Sequence, residues 1–251
     1  MKTVELSARM QALVNMVTPG SIVCDVGCDH GWVSIYLVQQ KIAPKVYAMD
    51  VRTGPLERAK EHIAEYQLDS YIETRLSDGL TNLQAGQADC MICAGMGGPL
   101  MRRILTEGRT KARAMKELIL QPQSDWPLFR RFLREEGYQT IQENMIYEDG
   151  KYYPMVKVIP VNPAEVFVAS TEEEQELWDG FGELLLKEKN AVLKQYLNFS
   201  EKHVRELLRH LGTQGGTRAE ERVVELEKEL CILQKAKAYV EDFSSGTEKE
   251  E

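Results

Sequence analysis

No stretch of the 251 residues approaches the roughly eighteen uninterrupted apolar side chains of a membrane-spanning helix. Nor do Met1 to Met10 place a basic segment ahead of an apolar one; charged and apolar residues alternate there, unlike a secretory leader, and a soluble cytoplasmic protein is expected. Cysteines are few and odd in number (Cys24, Cys28, Cys90, Cys93, Cys231) and lie mostly in apolar runs, which suits reduced, buried thiols better than a disulfide framework. Positive charge is in deficit, with a net charge of -8, so the surface as a whole cannot grip a polyanion and any nucleic acid must meet a local basic patch. Residues 101–140 offer one. Arg102, Arg103, Arg109, Lys111, Arg113, Lys116, Arg130, Arg131 and Arg134 stand there against Glu107, Glu117, Asp125, Glu135 and Glu136, although solvated helix faces give the same count.

The length allows one full α/β domain and an appendage of about a third of the chain. From residue 21 short apolar runs alternate with amphipathic stretches, the pattern of βαβ units on a mostly parallel sheet. Strands are predicted at Ser21 to Asp25, Lys45 to Asp50, Ile72 to Leu76, Ala88 to Ala94 and Glu117 to Gln121, with helices at Trp32 to Gln40, Gly54 to Tyr66, Pro99 to Glu107 and Trp126 to Glu136. Two extended runs, Thr140 to Tyr147 and Tyr152 to Ile159, flank Asp149-Gly150 and predict a closing hairpin. Ahead of the sheet, Leu6 to Val17 carries apolar residues at helical spacing and stops at Pro19-Gly20.

Beyond Pro163 the composition turns to long charged helices. Val223, Leu226, Leu230, Leu233 and Val240 follow heptad-like spacing, and Tyr196, Phe199, Val204, Leu207, Leu208 and Leu211 offer a facing seam before the break at 212–216. The expected organisation is an α/β, Rossmann-like catalytic domain over 1–163, an antiparallel helical coiled-coil hairpin over 164–243 and a frayed tail over 244–251.

The most informative segment is Val23-Cys24-Asp25-Val26-Gly27-Cys28-Asp29-His30-Gly31, which closes the first strand and opens the first helix, where open α/β sheets bind ligands. Such a glycine turn suits a dinucleotide as well as S-adenosylmethionine. Charge separates the two. A pyrophosphate wants backbone N–H groups and is repelled by carboxylates, whereas an ammonium and a sulfonium are attracted by Asp25 and Asp29. Asp50, ending the second strand, can accept both ribose hydroxyls, and Asp78, in Ser77-Asp78-Gly79, can accept from an adenine amine. Each is also a common helix cap or turn former, but four together favour S-adenosylmethionine.

The fourth strand runs into Ala94-Gly95-Met96-Gly97-Gly98-Pro99, an open ledge beside the expected methyl group. What is missing there is an Asn or Asp followed by two prolines and an aromatic, the motif that many enzymes use to grip an exocyclic amine. A ring nitrogen is therefore the more natural nucleophile. Cys90-Met91-Ile92-Cys93 has metal-type spacing, with Cys24 and Cys28 as further ligands, but residues three apart on a strand point to opposite faces, so no metal is expected.

At Leu6-Ser7-Ala8-Arg9-Met10, Asp25-Val26-Gly27-Cys28-Asp29-His30, Asp78-Gly79-Leu80, Ala94-Gly95-Met96-Gly97-Gly98, Leu118-Ile119-Leu120-Gln121-Pro122 and Glu148-Asp149-Gly150-Lys151-Tyr152-Tyr153 the chain resembles the bacterial tRNA adenine-N1-methyltransferases that modify adenine 22. The likeness spans about residues 6 to 160, and a family-like Lys187-Glu188-Lys189-Asn190 follows. It implies a Rossmann-like domain plus a C-terminal helical coiled coil, S-adenosyl-L-methionine as cofactor and tRNA as substrate. The chain departs from the family's pattern at Cys28, Gly31-Trp32, Asp50 and Tyr153-Pro154, which bears on the target base more than on the cofactor.

The cofactor-binding set expected is Asp25, Gly27, Cys28, Asp29, His30, Asp50, Asp78, Gly79, Ala94, Gly95, Met96, Gly97 and Gly98. Asp29, then His30, are the candidates to stabilise charge on the adenine or accept its proton, with a cofactor contact or a helix cap as the other role for Asp29. Arg9, Arg102, Arg103 and Tyr153 are the candidate RNA contacts, and Tyr153, Trp126 and Trp32 the candidate stacking faces for an unpaired base. A methyltransferase for a small metabolite, and a non-catalytic RNA-binding scaffold, are the competing readings. The sequence leaves open the oligomeric state and whether the hairpin binds RNA or dimerises.

Overall fold

In the computed structural model, described over residues 3–211 and 217–241, the chain divides into two compact units, Met1–Phe167 and Val168–Glu251. The first is built on strands β1 (Val23–Val26), β2 (Val46–Asp50), β3 (Ile72–Leu76), β4 (Cys90–Met96), β5 (Glu117–Pro122), β6 (Tyr138–Glu148) and β7 (Lys151–Pro160). They form one sheet in the order β3-β2-β1-β4-β5-β7-β6. The first five run parallel, while β7 is antiparallel to β5 and β6 to β7. The chain leaves β1 towards β2 on one side and reaches β4 on the other, so the topological switch point lies between β1 and β4, where an open sheet leaves a crevice for ligands.

Near-continuous burial of β1, β2 and β5 follows from helices on both faces. Val23, Ala48, Cys90, Ile92 and Ile119 face the layer of α1 (Ala8–Val14), α2 (Trp32–Gln39) and α3 (Thr53–Glu65). Cys24, Met49, Met91, Cys93 and Leu120 face the layer of α4 (Gly98–Glu107), α5 (Arg109–Arg113) and α6 (Trp126–Glu135). Cys90 and Cys93 thus fall on opposite sides of the sheet, as a two-residue side-chain period requires. The first helix is shorter than predicted, because Ser7 caps it by accepting the Met10 N–H and the chain turns off after Val14. Strand β1 runs one residue past Asp25, which therefore stands inside the strand.

The parallel strands are tied to the closing hairpin by a buried charge cluster. Lys157 of β7 donates to Glu117 of β5 (2.7 Å), to the Met16 carbonyl (2.9 Å) and to Thr18 Oγ1 (2.9 Å), and Thr18 gives its N–H to Glu117 (2.8 Å). Burial pushes the Glu117 carboxyl up, but the bonds from Lys157 and Thr18 outweigh it and hold the group below its ordinary value.

The second unit contains α7 (Glu172–Phe181), α8 (Glu183–Lys187), α9 (Ala191–Leu211) and α10 (Thr217–Glu241). Leu226, Leu233 and Val240 are buried at seven-residue spacing, and α9 and α10 pack on each other, with Lys237 near the end of α10 bonded to Glu201 at the middle of α9. The pairing is antiparallel. On α9 the buried residues are Leu193, Leu197 and Val204, while Phe199 is 60% exposed. The predicted seam was misplaced there: at about 100° per residue Phe199 points roughly opposite to Leu197. The expected break at 212–216 and the tail over 244–251 lie outside the described residues.

Candidate functional site

A cavity of about 670 Å³ opens at the carboxyl edge of the sheet beside β1, lined by the N-terminal segment and the start of α2. Its lining joins Asp25, Gly27, Cys28, Asp29, His30 and Ala94 with Ser7, Met10, Trp32 and Tyr66. Asp50 sits at the adjoining end of β2, whereas Asp78, Gly79 and Gly95 to Gly98 lie outside the lining.

Asp25 is the most perturbed acid of the group. Its side chain is buried and accepts a 2.7 Å bond from Ser34 Oγ of α2. Burial raises its pKa from 3.8 to about 6, Ser34 opposes the rise, and the nearby Asp50 adds to it. Asp50, equally buried, accepts backbone N–H groups from Arg52 (2.9 Å) and Asp29 (3.3 Å), and Arg52 Nε is 3.8 Å away. The turn between β1 and α2 is pinned from the other side: Gly27 and Cys28 donate to the Met49 carbonyl at 2.8 and 2.9 Å. Gly27 has φ +80°, and a Cβ at that position would collide with Met96 Cε, so the ledge after β4 and the turn after β1 meet where no side chain fits. Asp29 takes φ +50°, a left-handed conformation that Asp tolerates better than most residues, and this turns its carboxylate outward. It lies 3.6 Å from His30 Nε2.

An aromatic stack lies beside the cavity. Trp32 stacks on His62 with centroids 4.1 Å apart and meets Tyr66 edge-on, and the His30 carbonyl accepts a 2.9 Å bond from His62 Nδ1, which therefore carries the proton. Neither the His62 bond nor the stack was apparent in the sequence. Cys28 and Cys93 are buried thiols, Cys93 being pushed up to about 12 by burial and then by Asp25, which leaves it protonated.

The structure splits the candidate RNA contacts into two groups. Arg9 and Tyr153 come together: the Arg9 guanidinium lies 4.8 Å from the Tyr153 ring centroid, donates to Gln121 Oε1 (3.0 Å), and the Arg9 N–H reaches Glu148 (3.2 Å). Gln121 pairs with Ala94 in the sheet register, so this cluster stands at the same edge as the cavity. The role of Gln121 was missed, since nothing in its sequence context separates it from a buried strand residue.

Arg102 and Arg103 behave differently. Arg103 forks onto Asp78 (2.9 and 3.1 Å) and reaches Glu107 (3.3 Å); Asp78 holds the guanidinium above its ordinary pKa. Arg102 is half-buried, with its Nε lacking a partner among the described residues. Much of the remaining positive charge over residues 101–140 is spent internally. Arg109 pairs with Glu136, Lys111 caps the Leu80 and Thr81 carbonyls, Arg113 binds three carbonyls, Lys116 pairs with Asp89, and Arg130 pairs with buried Glu143. Of the candidate stacking faces, Trp126 is covered by Arg130 at 4.6 Å. Among the described residues no cluster of His, Cys, Asp and Glu is arranged to hold a metal ion, and no helix is long and apolar enough to cross a membrane.

Comparison with known proteins agrees with this geometry. A methyltransferase-domain family model matches residues 6–156. The tRNA (adenine(22)-N(1))-methyltransferase of Bacillus subtilis (strain 168) is 34% identical over 200 residues, covering 76% of this chain and 79% of the relative. The crystal structure of the B. subtilis m1A22 tRNA methyltransferase TrmK superposes with a TM-score of 0.79 at 27% identity, covering 93% of this chain and 99% of that one. Streptococcus pneumoniae Sp1610, solved in complex with S-adenosyl-L-methionine, gives a TM-score of 0.79 at 27% identity, with 93% and 100% covered.

Proposed function

The chain belongs to the family of the bacterial tRNA (adenine(22)-N1)-methyltransferases, and on that premise we propose that it transfers a methyl group from S-adenosyl-L-methionine to N1 of adenine 22 in tRNA. The observation that carries the cofactor assignment is the pair of buried carboxylates, Asp25 and Asp50, beside a turn whose Gly27 leaves no room for a Cβ. An anionic acceptor set of this kind fits an ammonium and ribose hydroxyls and repels a pyrophosphate.

The cofactor supplies an electrophilic methyl group on a sulfonium. The chain's own residues bind and orient. Asp25 faces the amino-acid end, Asp50 takes the ribose, Asp78 takes the adenine amine, and Ala94 to Gly98 leave an open ledge at the methyl group. Adenine N1 lies on the Watson–Crick edge, so the base has to be unpaired or flipped before it can react. Arg9, clamped between Tyr153 and Gln121, is placed to hold the phosphate of the target nucleotide, with Tyr153 at its base. As positive charge develops on the adenine, the outward Asp29 carboxylate stabilises it or takes the amino proton, with His30 as its neighbour.

We further propose a cytoplasmic protein whose catalytic part covers residues 1–163, followed by a helical part over 164–243. Primer extension on tRNA treated with enzyme and cofactor tests the reading, because a methyl on N1 blocks pairing. A stop at adenine 22 is the expected result. Read-through of every adenine, with labelled methyl insensitive to ribonuclease, would mean a small-metabolite substrate instead.

A further inference from the structure

The turn that follows β3 is braced everywhere except at its acid. Ser77 Oγ donates to the Gly79 carbonyl (2.9 Å) and accepts the Asn82 N–H (3.0 Å), while the Asp78 carbonyl accepts from Thr81 Oγ1 (2.6 Å) and Thr81 N (3.2 Å). The Asp78 carboxylate, half-exposed, receives none of these donors. Among the described residues its two oxygens are held by Arg103 alone, Oδ1 by Nη2 at 2.9 Å and Oδ2 by Nη1 at 3.1 Å. Arg103 is steadied in turn by Glu107 one helical turn on. Both belong to α4, the helix that begins at the Gly97-Gly98 ledge.

We propose that Arg103 is a positioning residue for the adenine end of the cofactor, setting the plane of the Asp78 carboxylate so that it accepts an exocyclic amine, and that it is not an RNA contact. The proposal rests on the cofactor reading above. A fork-to-fork pair uses one lone pair on each carboxylate oxygen and leaves the others, so Asp78 can take an N–H donor without releasing Arg103. A half-exposed carboxylate without that fork turns freely about its bond, and binding the amine would then cost rotamer freedom. Because α4 carries the guanidinium and begins where the ledge ends, the acid that reads the adenine is referenced to the element that adjoins the methyl group's ledge.

The test titrates wild type, Arg103→Met and Arg103→Lys with S-adenosylhomocysteine and with S-inosylhomocysteine, which has a carbonyl in place of the amine, by calorimetry. Arg103→Met is expected to weaken S-adenosylhomocysteine binding about tenfold, the loss of roughly one charge-assisted hydrogen bond. The inosyl compound should bind with unchanged affinity, so the preference for the amine collapses. Arg103→Lys, which holds one oxygen but not the plane, should recover part of it. In turnover, the cofactor KM should rise while kcat and the tRNA KM hold. An unchanged preference in Arg103→Met would overturn the proposal, and so would a raised tRNA KM with intact S-adenosylhomocysteine binding, which would return Arg103 to RNA. Failure of the wild type to bind S-adenosylhomocysteine at all would instead sink the cofactor reading.

Discussion

Asp25 offers a perturbation whose size follows from its surroundings. Burial, with Asp50 nearby, lifts the carboxyl from 3.8 to about 6, so the folded chain holds a proton that the unfolded chain has already released between those pH values. Below about pH 4 both states are protonated and Asp25 costs nothing. As pH rises through about 6 the folded state must ionise a buried group, and stability is lost. About two units at about 1.4 kcal/mol each make the cost roughly 3 kcal/mol at pH 8.

Asp25→Asn removes that charge while keeping an oxygen for Ser34 Oγ. Its new N–H groups need acceptors, and an unpaired buried donor costs about 1–3 kcal/mol. Because residue 25 lines the cavity, water can serve them, and the expected net gain at pH 8 is about 1–3 kcal/mol. Urea unfolding of both proteins at pH 4, 6 and 8 reads it: the variant should be more stable at pH 8, and the difference should close towards pH 4. The same variant should bind S-adenosylhomocysteine more weakly, since that carboxylate is the one proposed to face the ligand's ammonium. A gain of equal size at pH 4 and pH 8, or a loss at pH 8, would refute the argument from desolvation.

The remaining expectations are quicker to state. Gly98→Ala puts a Cβ 2.6 Å from the Ser124 carbonyl oxygen, a backbone atom, so it should cost about 1–3 kcal/mol in urea unfolding and distort the ledge. Lys157→Met strands Glu117 in the core and should cost about 3–5 kcal/mol, much of it recovered in the double variant with Glu117→Gln, as denaturation midpoints would show. Arg9→Ala should raise the tRNA KM roughly tenfold, about one charge-assisted contact, with S-adenosylhomocysteine affinity unchanged by calorimetry. Asp29→Ala should lower turnover or cofactor affinity; a variant intact in both would remove Asp29 from the site.

The sheet was legible because its strands are short apolar runs bounded by Gly, Pro and Asp, and each predicted strand overlaps the one found. Short helices escaped. Arg109–Arg113 has too few apolar residues to show a period, and α7 and α8 are parted at Gly182, whose backbone leaves helical geometry. Pairings across the chain were illegible altogether. Arg103 and Asp78 are 25 residues apart, Arg9 and Gln121 are 112 apart, and no local pattern announces either. The basic segment misled for the same reason. A tally of charge along 101–140 cannot see that Asp78, Asp89 and Glu143, on strands and turns elsewhere, neutralise Arg103, Lys116 and Arg130.

That contrast sharpens the meaning of the charge at the sheet's edge. Where carboxylates and guanidiniums elsewhere in the unit find each other, as Arg130 and Glu143 do in the core, the chain spends its cations on its anions. At the switch point it does not. Among the described residues Asp25 has only a hydroxyl donor, and Asp50 has two backbone N–H groups and one guanidinium nitrogen at 3.8 Å. Packing alone would have been served better by an amide at residue 25, which fits the same space and, with its N–H groups bonded, costs less to bury than an ionised carboxylate. An acid kept there at a cost to folding is repaid by a ligand that brings positive charge and hydroxyls, and by no ligand that brings phosphates. The negative charge at this edge therefore favours a cationic cofactor over a phosphate-bearing one.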